Sequence, residues 1–293
     1  MRAIIYMLAL ELFGEERLLP EFPRCAEVKG FGMSDAQCYA TLLGEKVNYT
    51  NTFYDRQPYL DITESHTDQH GWYDFILSSD VFEHVAPPIE RAFEEAFRLL
   101  KPYGVLCITV PSVIADRTDE HYPDLYQYSV IELAGEHVLI NRKKNRTLEI
   151  HDNLVFHGGI GATLEMRLFA QADLVRKLRG AGFSDVVLQV DPVERFGIVF
   201  DGPWSRPLVA RKQPYPKISV ADLATRNDTA PRTERPPEPA PGADSRLAQL
   251  NTEKAVLEER LEKVETQLRL AAGSRWLKLG RSLGLGPNLE EHI

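Results

Sequence analysis

The chain has 293 residues, enough for one sizeable domain with appendages, and its 43% hydrophobic and 26% charged residues are those of an ordinary soluble globular protein. A formal net charge of −9 argues against electrostatic capture of nucleic acid, which needs a basic surface, although it leaves room for a local basic patch. Cys25, Cys38 and Cys107 show no C-x-x-C spacing, which disfavours a disulfide framework or a zinc site and fits a reducing, cytoplasmic setting.

In chain order, Ile4, Leu8 and Leu12 sit at helical spacing and predict an amphipathic helix over about 2–13. The segment also looks a little like a signal peptide, but Glu11, Glu15 and Glu16 interrupt it and no small-x-small cleavage site follows. A strand "AEVKGFG" and a helix "SDAQCYATLLGEKV" come next, with Ser34 or Asp35 as the expected N-cap. Two short β-prone segments follow, "NYTNTFY" and "YLDIT". The strand "YDFILSS" precedes the helix "PPIERAFEEAFRLLKP", which carries Ile89, Phe93, Phe97 and Leu100 on one face and proline in its first turn. "GVLCITVP" is a fully apolar strand. After a long insertion, the helix "AQADLVRKLRGAGF" and the strands "DVVLQV" and "PLVARK" complete the set. Strands alternating with helices predict an α/β fold with a doubly wound, mostly parallel sheet, and strands apolar throughout fit a sheet covered on both faces.

Composition divides the chain into a domain over 1–213, a proline-rich linker over 214–243, a heptad segment over 244–272 and a short amphipathic tail over 273–293. The linker reads as extended and mobile. Leu247, Leu250, Leu257, Leu261, Val264 and Leu268 form a heptad seam broken by Lys254, which predicts either a coiled-coil homodimer or an amphipathic helix folding back on the domain. In the tail, Trp276, Leu279 and Leu283 share a face. It could dock weakly on a partner or a membrane surface, but it is too short to bind membrane strongly alone.

The stretch "WYDFILSSDVFEHV" turns from an apolar strand to a polar, acidic segment. In sheets of this kind ligands bind outside the carboxyl ends of the strands, so the polar part stands at the ligand edge. "YDFILSSDVFEHV…AFRLLKPYGVLCITVPS", with the later "LEMRLFAQADLVRKLRGAGFSDVVL", resembles the class I S-adenosylmethionine-dependent methyltransferases over about residues 24–212. The resemblance implies the Rossmann-like methyltransferase fold, S-adenosyl-L-methionine as cofactor, and Ser79 and Asp80 near it.

The family's acidic residue and G-x-G-x-G loop are best matched by Glu27, Gly30 and Gly32, with Ser34 at the third glycine position and Lys29 as a departure. In a second register this stretch is instead the second strand and its helix, and in a third reading the glycines are ordinary turn glycines. By the same resemblance Asp55 would meet the ribose hydroxyls and Asp61 the adenine amine, although Asp61 also reads as a turn-capping residue. Tyr103 departs from the common K-P-G-G, while Gly104 keeps the second glycine.

The insertion would form a lid over the acceptor. It concentrates His121, Asp124, Tyr126, Tyr128, His151 and His157, and "VLINRKKNRTLEIHDNLVF" predicts a β-hairpin turning at "RKKNR". Transfer to oxygen needs a base for the hydroxyl proton; His157, His84 and His121 are candidates, each with a purely structural alternative. No metal-ligand spacing, G-x-x-x-x-G-K loop or G-x-S-x-G elbow occurs. The coil and tail resemble those of bacterial surface-polysaccharide enzymes, which suggests a sugar or lipid-linked glycan acceptor. Two alternatives remain at this point: a non-catalytic scaffold with a degenerate methyltransferase fold in a glycan-assembly complex, and a nicotinamide-dependent oxidoreductase.

Overall fold

In a computed structural model the described residues are 2–133, 135–157, 163–200, 202 and 204–213. The predicted linker, coiled coil and tail, and Gly158 and Gly159 of the insertion, lie outside them. Among the described residues no helix is long and apolar enough to cross a membrane.

The chain opens with helix α1 (Arg2–Phe13), then strand β1 (Cys25–Met33), helix α2 (Gln37–Lys46), strand β2 (Val47–Thr52), strand β3 (Tyr73–Ser79), helix α3 (Glu90–Leu99) and strand β4 (Leu100–Thr109). The insertion supplies β5 (Ser112–Val113), β6 (Asp119–Glu120), β7 (Gln127–Leu133), β8 (Glu136–Arg142) and β9 (Leu148–His151). Strand β10 (Arg167–Ala170), helix α4 (Gln171–Gly180), β11 (Asp185–Leu188) and β12 (Leu208–Arg211) follow. The main sheet has the order β11-β12-β4-β3-β1-β2. Strands β2, β1, β3 and β4 pair in parallel, and β12 runs antiparallel to both its neighbours.

Alternation along the apolar strands explains why they carry no polar face. Phe75, Leu77, Val105, Cys107 and Val209 point into a core shared with α1 and α2. Ile76, Leu106, Ile108, Leu208 and Ala210 point into a second core closed by α3 and α4. The sheet is therefore doubly wound, as its strand composition predicts.

Four local expectations are corrected. Helix α1 is not a two-faced helix: Ile4, Ile5, Tyr6, Met7, Leu8, Ala9, Leu12 and Phe13 are all buried, and Glu11 is buried with them in an ion pair with Arg211 of β12. "YLDIT" is not a strand. Leu60 and Ile62 alternate inward as strand residues would, but the segment forms only the isolated bridge Phe53–Tyr59 and then turns. The prolines before α3 precede its first turn, because the helix starts at Glu90. Neither Ser34 nor Asp35 caps α2; Ala36 occupies the N-cap without a side-chain bond.

Gly30 and Gly32 belong to β1, the first strand of the sheet in the chain, and helix α2 follows it, which is the element order of the first register. Both glycines nevertheless lie inside the strand and not in a loop beyond it. A Cβ on Gly30 would enter the ring of Phe75, which stacks on Tyr49, and a Cβ on Gly32 would enter the Asp35 carboxylate and the Tyr49 hydroxyl. They are packing glycines. Gly30→Ala and Gly32→Ala are each expected to destabilise the fold by about 1–3 kcal/mol, the usual cost of forcing atoms into a filled interior. Chemical denaturation measures this, and unchanged midpoints would contradict it.

Candidate active site

At the carboxyl ends of β1, β2 and β3 the structure opens a cavity of about 930 Å³, within the range of small-molecule sites. Its floor comes from the turns that leave those strands, and part of its wall from the inserted sheet β7-β8-β9 through Tyr128 and Val130.

The turn after β1 is built without a third glycine. Ser34 itself adopts φ +56°, the left-handed conformation that glycine usually supplies. Its N–H donates to the carbonyl of Thr52 at 2.7 Å, which ties the turn to the end of β2. Asp35 follows and is 5% exposed. Its carboxylate accepts hydrogen bonds from the Tyr39 and Tyr49 hydroxyls, its N–H donates to Asn51 Oδ1 at 2.9 Å, and its carbonyl accepts from Asn51 Nδ2 at 2.8 Å. Burial pushes the Asp35 carboxyl up despite the two hydroxyl donors. Burial, then the Asp35 charge, raises both tyrosine hydroxyls. Asp35 is the residue that sequence reasoning passed over as a helix cap. The signal was present in Gly32, whose missing side chain leaves the space for its carboxylate.

The turn after β3 carries the E-H pair. Asp80 stands at φ +54°, donates its N–H to Thr109 O at 2.9 Å, and lines the cavity. Ser79 lies just behind, accepting from Thr109 Oγ1 at 3.2 Å, and is not on the cavity wall. Glu83 is 1% exposed, lines the cavity, and neither of its carboxyl oxygens has a hydrogen-bond partner. Burial, reinforced by the Asp80 and Glu165 charges, holds its carboxyl well above the ordinary carboxylate range. His84 donates Nδ1–H to Leu164 O at 3.1 Å, so in the neutral ring Nε2 keeps its lone pair, 3.7 Å from Glu83 Oε1. Burial lowers its pKa, which favours that neutral form.

His157 faces His84, with ring centres 5.5 Å apart, and its Nε2 meets Glu165 Oε2 at 2.6 Å. That bond to a buried carboxylate raises the His157 pKa. Glu165, 2% exposed, was not singled out in the sequence; it lies within the methyltransferase-like "LEMRLFAQADL" stretch.

The remaining candidates divide. Asp55 and Asp61 line the cavity. Asp55 is largely exposed and pairs with Arg56 at 3.5 Å. Asp61 accepts from Thr63 N–H at 2.8 Å and Thr63 Oγ1 at 2.7 Å through Oδ1, so its capping role is real whatever else it does. Glu27 is exposed on the first half of β1, and Gly30 and Gly32 are enclosed; none of the three reaches the cavity. Lys29 lies over the Trp72 ring, 4.1 Å from its centre. His121 stands off the cavity wall, donating Nδ1–H to the Glu165 carbonyl at 3.2 Å. Among the described residues no group of three or more His, Cys, Asp or Glu side chains is arranged to hold a metal ion.

The family model described as "Methyltransferase domain" matches residues 18–186, more than half of the chain, and the chain belongs to that family. Methyl transfer is the chemistry that the family's description names. No curated protein matches it. Among solved structures, the CurJ carbon methyltransferase is 13% identical, with 72% of this chain and 54% of that chain covered and a TM-score of 0.42. The chain thus spans about half the length of that relative. The Burkholderia thailandensis 1,6-didemethyltoxoflavin-N1-methyltransferase, solved with 1,6-didemethyltoxoflavin and S-adenosylhomocysteine, is 14% identical, with 72% and 76% covered and a TM-score of 0.40. A Mesorhizobium loti S-adenosylmethionine-dependent methyltransferase is 14% identical, with 63% and 80% covered and a TM-score of 0.33.

A carboxyl whose folded pKa is raised stabilises the fold fully below its unfolded pKa and loses that contribution as pH rises toward the folded value. Glu83→Gln is therefore expected to be more stable than the parent at pH 8, with the difference closing as pH falls to the ordinary carboxylate range. Denaturation midpoints of both proteins across that range test this, and a pH-independent difference would contradict it.

Proposed function

We propose that the enzyme methylates a hydroxyl of a sugar or lipid-linked glycan during surface-polysaccharide assembly in the cytoplasm, with His157 as the general base. One observation carries the choice of base: the His157–Glu165 pair opens on the cavity at the sheet's carboxyl edge. Nε2–H donates to the carboxylate, which leaves Nδ1 of the neutral ring to take a hydroxyl proton, and Glu165 stabilises the imidazolium that forms. His84 is less suited, because its lowered pKa makes it the weaker base, and His121 stands off the cavity.

The cavity fits the donor. Its size suits a nucleoside-bearing ligand, and carboxylates that can accept paired hydroxyl or amine donors stand on its wall. Asp55, Asp61 and Asp80 would hold the donor, with the Ser34 turn approaching it. When bound, the donor supplies an electrophilic methyl group, and the chain's task is to align the acceptor hydroxyl with it and remove the proton.

S-adenosylmethionine and S-adenosylhomocysteine are expected to bind in calorimetric titration and NAD to give no heat. Donor binding with no turnover on nucleotide sugars or lipid-linked glycans would reject the acceptor while leaving the family chemistry in place. His157→Ala should lower turnover about 10²-fold or more with S-adenosylhomocysteine affinity retained. The rate should rise with pH through a midpoint above that of an ordinary imidazole, because His157 must lose its proton first. Glu165→Gln should move that midpoint down, and a profile indifferent to it would remove His157 from the role.

For the heptad segment, we propose pairing with a second copy or a partner coil. Deletion from residue 244 onward should leave S-adenosylhomocysteine affinity intact and lower the sedimenting mass. An unchanged mass would remove self-association.

A further inference from the structure

The turn that carries Glu83 and His84 is held from one side by a single short segment. Leu164 O accepts His84 Nδ1–H at 3.1 Å, Met166 N–H donates to Glu83 O at 2.8 Å, and Arg167 Nη1 donates to Phe82 O at 2.9 Å and Val85 O at 2.6 Å. Arg167 has no solvent exposure, and its Nε donates to both carboxylate oxygens of Glu120, each at 3.0 Å. Glu120 on β6 lies directly opposite Arg167 on β10 in an antiparallel register. The charge pair thus ties β6 and β10 to the two carbonyls that flank Glu83 and His84.

We propose that Arg167 is a positioning residue: its guanidinium, anchored by Glu120, clasps the carbonyls of Phe82 and Val85 and so aims Glu83 and His84 into the cavity. A buried arginine costs several kcal/mol in desolvation unless its bonds are made, so a residue serving packing alone would be better as an apolar side chain. The work also needs a planar, multiply donating group, since four acceptor atoms are met from two of its nitrogens, Nε and Nη1. A lysine is a point donor and cannot meet them all.

His84 is surrounded by Glu83, Asp80, His157, Glu165 and the Leu164 carbonyl, so its titration reports whether the turn keeps its place. Turnover depends additionally on the transfer reading above, so the experiment follows the imidazole and the amides directly, with S-adenosylhomocysteine affinity measured in parallel. In Arg167→Lys the imidazole NMR titration of His84 should move up toward the ordinary histidine value by about half a pH unit or more, because a displaced turn lets water reach the ring and relieves the burial that depresses it, an effect larger than the opposing loss of the Leu164 bond. Exchange of the Met166 and His84 amides should quicken about tenfold, with Leu106 in β4 unchanged. His70, which pairs with Glu95 away from the turn, serves as the unchanged imidazole.

Glu120→Gln removes the anchor without touching the turn, and should quicken the same two amides to a smaller extent. It decides the matter if Arg167→Lys fails to fold. Unaltered His84 titration and amide exchange in folded Arg167→Lys, or unaltered exchange in Glu120→Gln alone should the first variant not fold, would overturn the positioning role. Loss of S-adenosylhomocysteine binding in the parent protein would instead defeat the transfer reading and leave the clasp standing.

Discussion

The site depends on the capture of backbone carbonyls in one short turn. A strand leaving a parallel sheet ends with unpaired carbonyls, and burying them without partners costs free energy for each. Between Phe82 and Val85 three of those carbonyls are met from residues 166 and 167, and the His84 ring bonds back to Leu164. The polar side chains of the turn are thereby released from local bonding. Glu83 is the clearest result, a buried carboxyl with neither oxygen engaged.

At the turn after β1 the logic is reversed. Asp35 is buried like Glu83, but both of its oxygens are used, by Tyr39 and Tyr49. One buried carboxyl stiffens the turn after β1, and the other is left available at the end of β3. Buried ionisable groups of the first kind specify a conformation, while those of the second kind mark a place where chemistry or binding completes the bonding.

Much of this was legible in the sequence, and the misreadings have identifiable causes. The strands β1, β3 and β4 and the helices α2, α3 and α4 follow from apolar runs and 3.6-residue spacing. The insertion's hairpin follows from "RKKNR" between two β-prone runs, and β8 and β9 pair across it. Helix α1 was read as one-sided because three leucine and isoleucine positions matched a stripe, yet its other faces are apolar too. The glycine motif misled because spacing alone does not say whether a glycine serves a ligand or a neighbour. Here Phe75 and Asp35, 45 and 3 residues away, fill the spaces. Asp55, Asp61, Asp80, His84 and His157 do meet at one cavity, and Glu27, Ser79 and His121 do not. Asp35 reads in the sequence only as a helix cap, Glu165 gives no signal until the chain folds His157 back on it, and Arg167 rests on Glu120, Phe82 and Val85, which are distant in the chain.

The ion pair between Glu11 and Arg211 joins α1 to β12, residues 200 positions apart. Helix α1 is apolar on nearly every side, and its cover includes Val209 on that same last strand. During synthesis the helix therefore emerges long before the last part of the surface that buries it. Until β12 is made, the helix lacks the cover of Val209, and Glu11 lacks its cation. A chain that stops short of Arg211 therefore leaves a buried acid without its partner and a gap between β4 and β11 in the sheet.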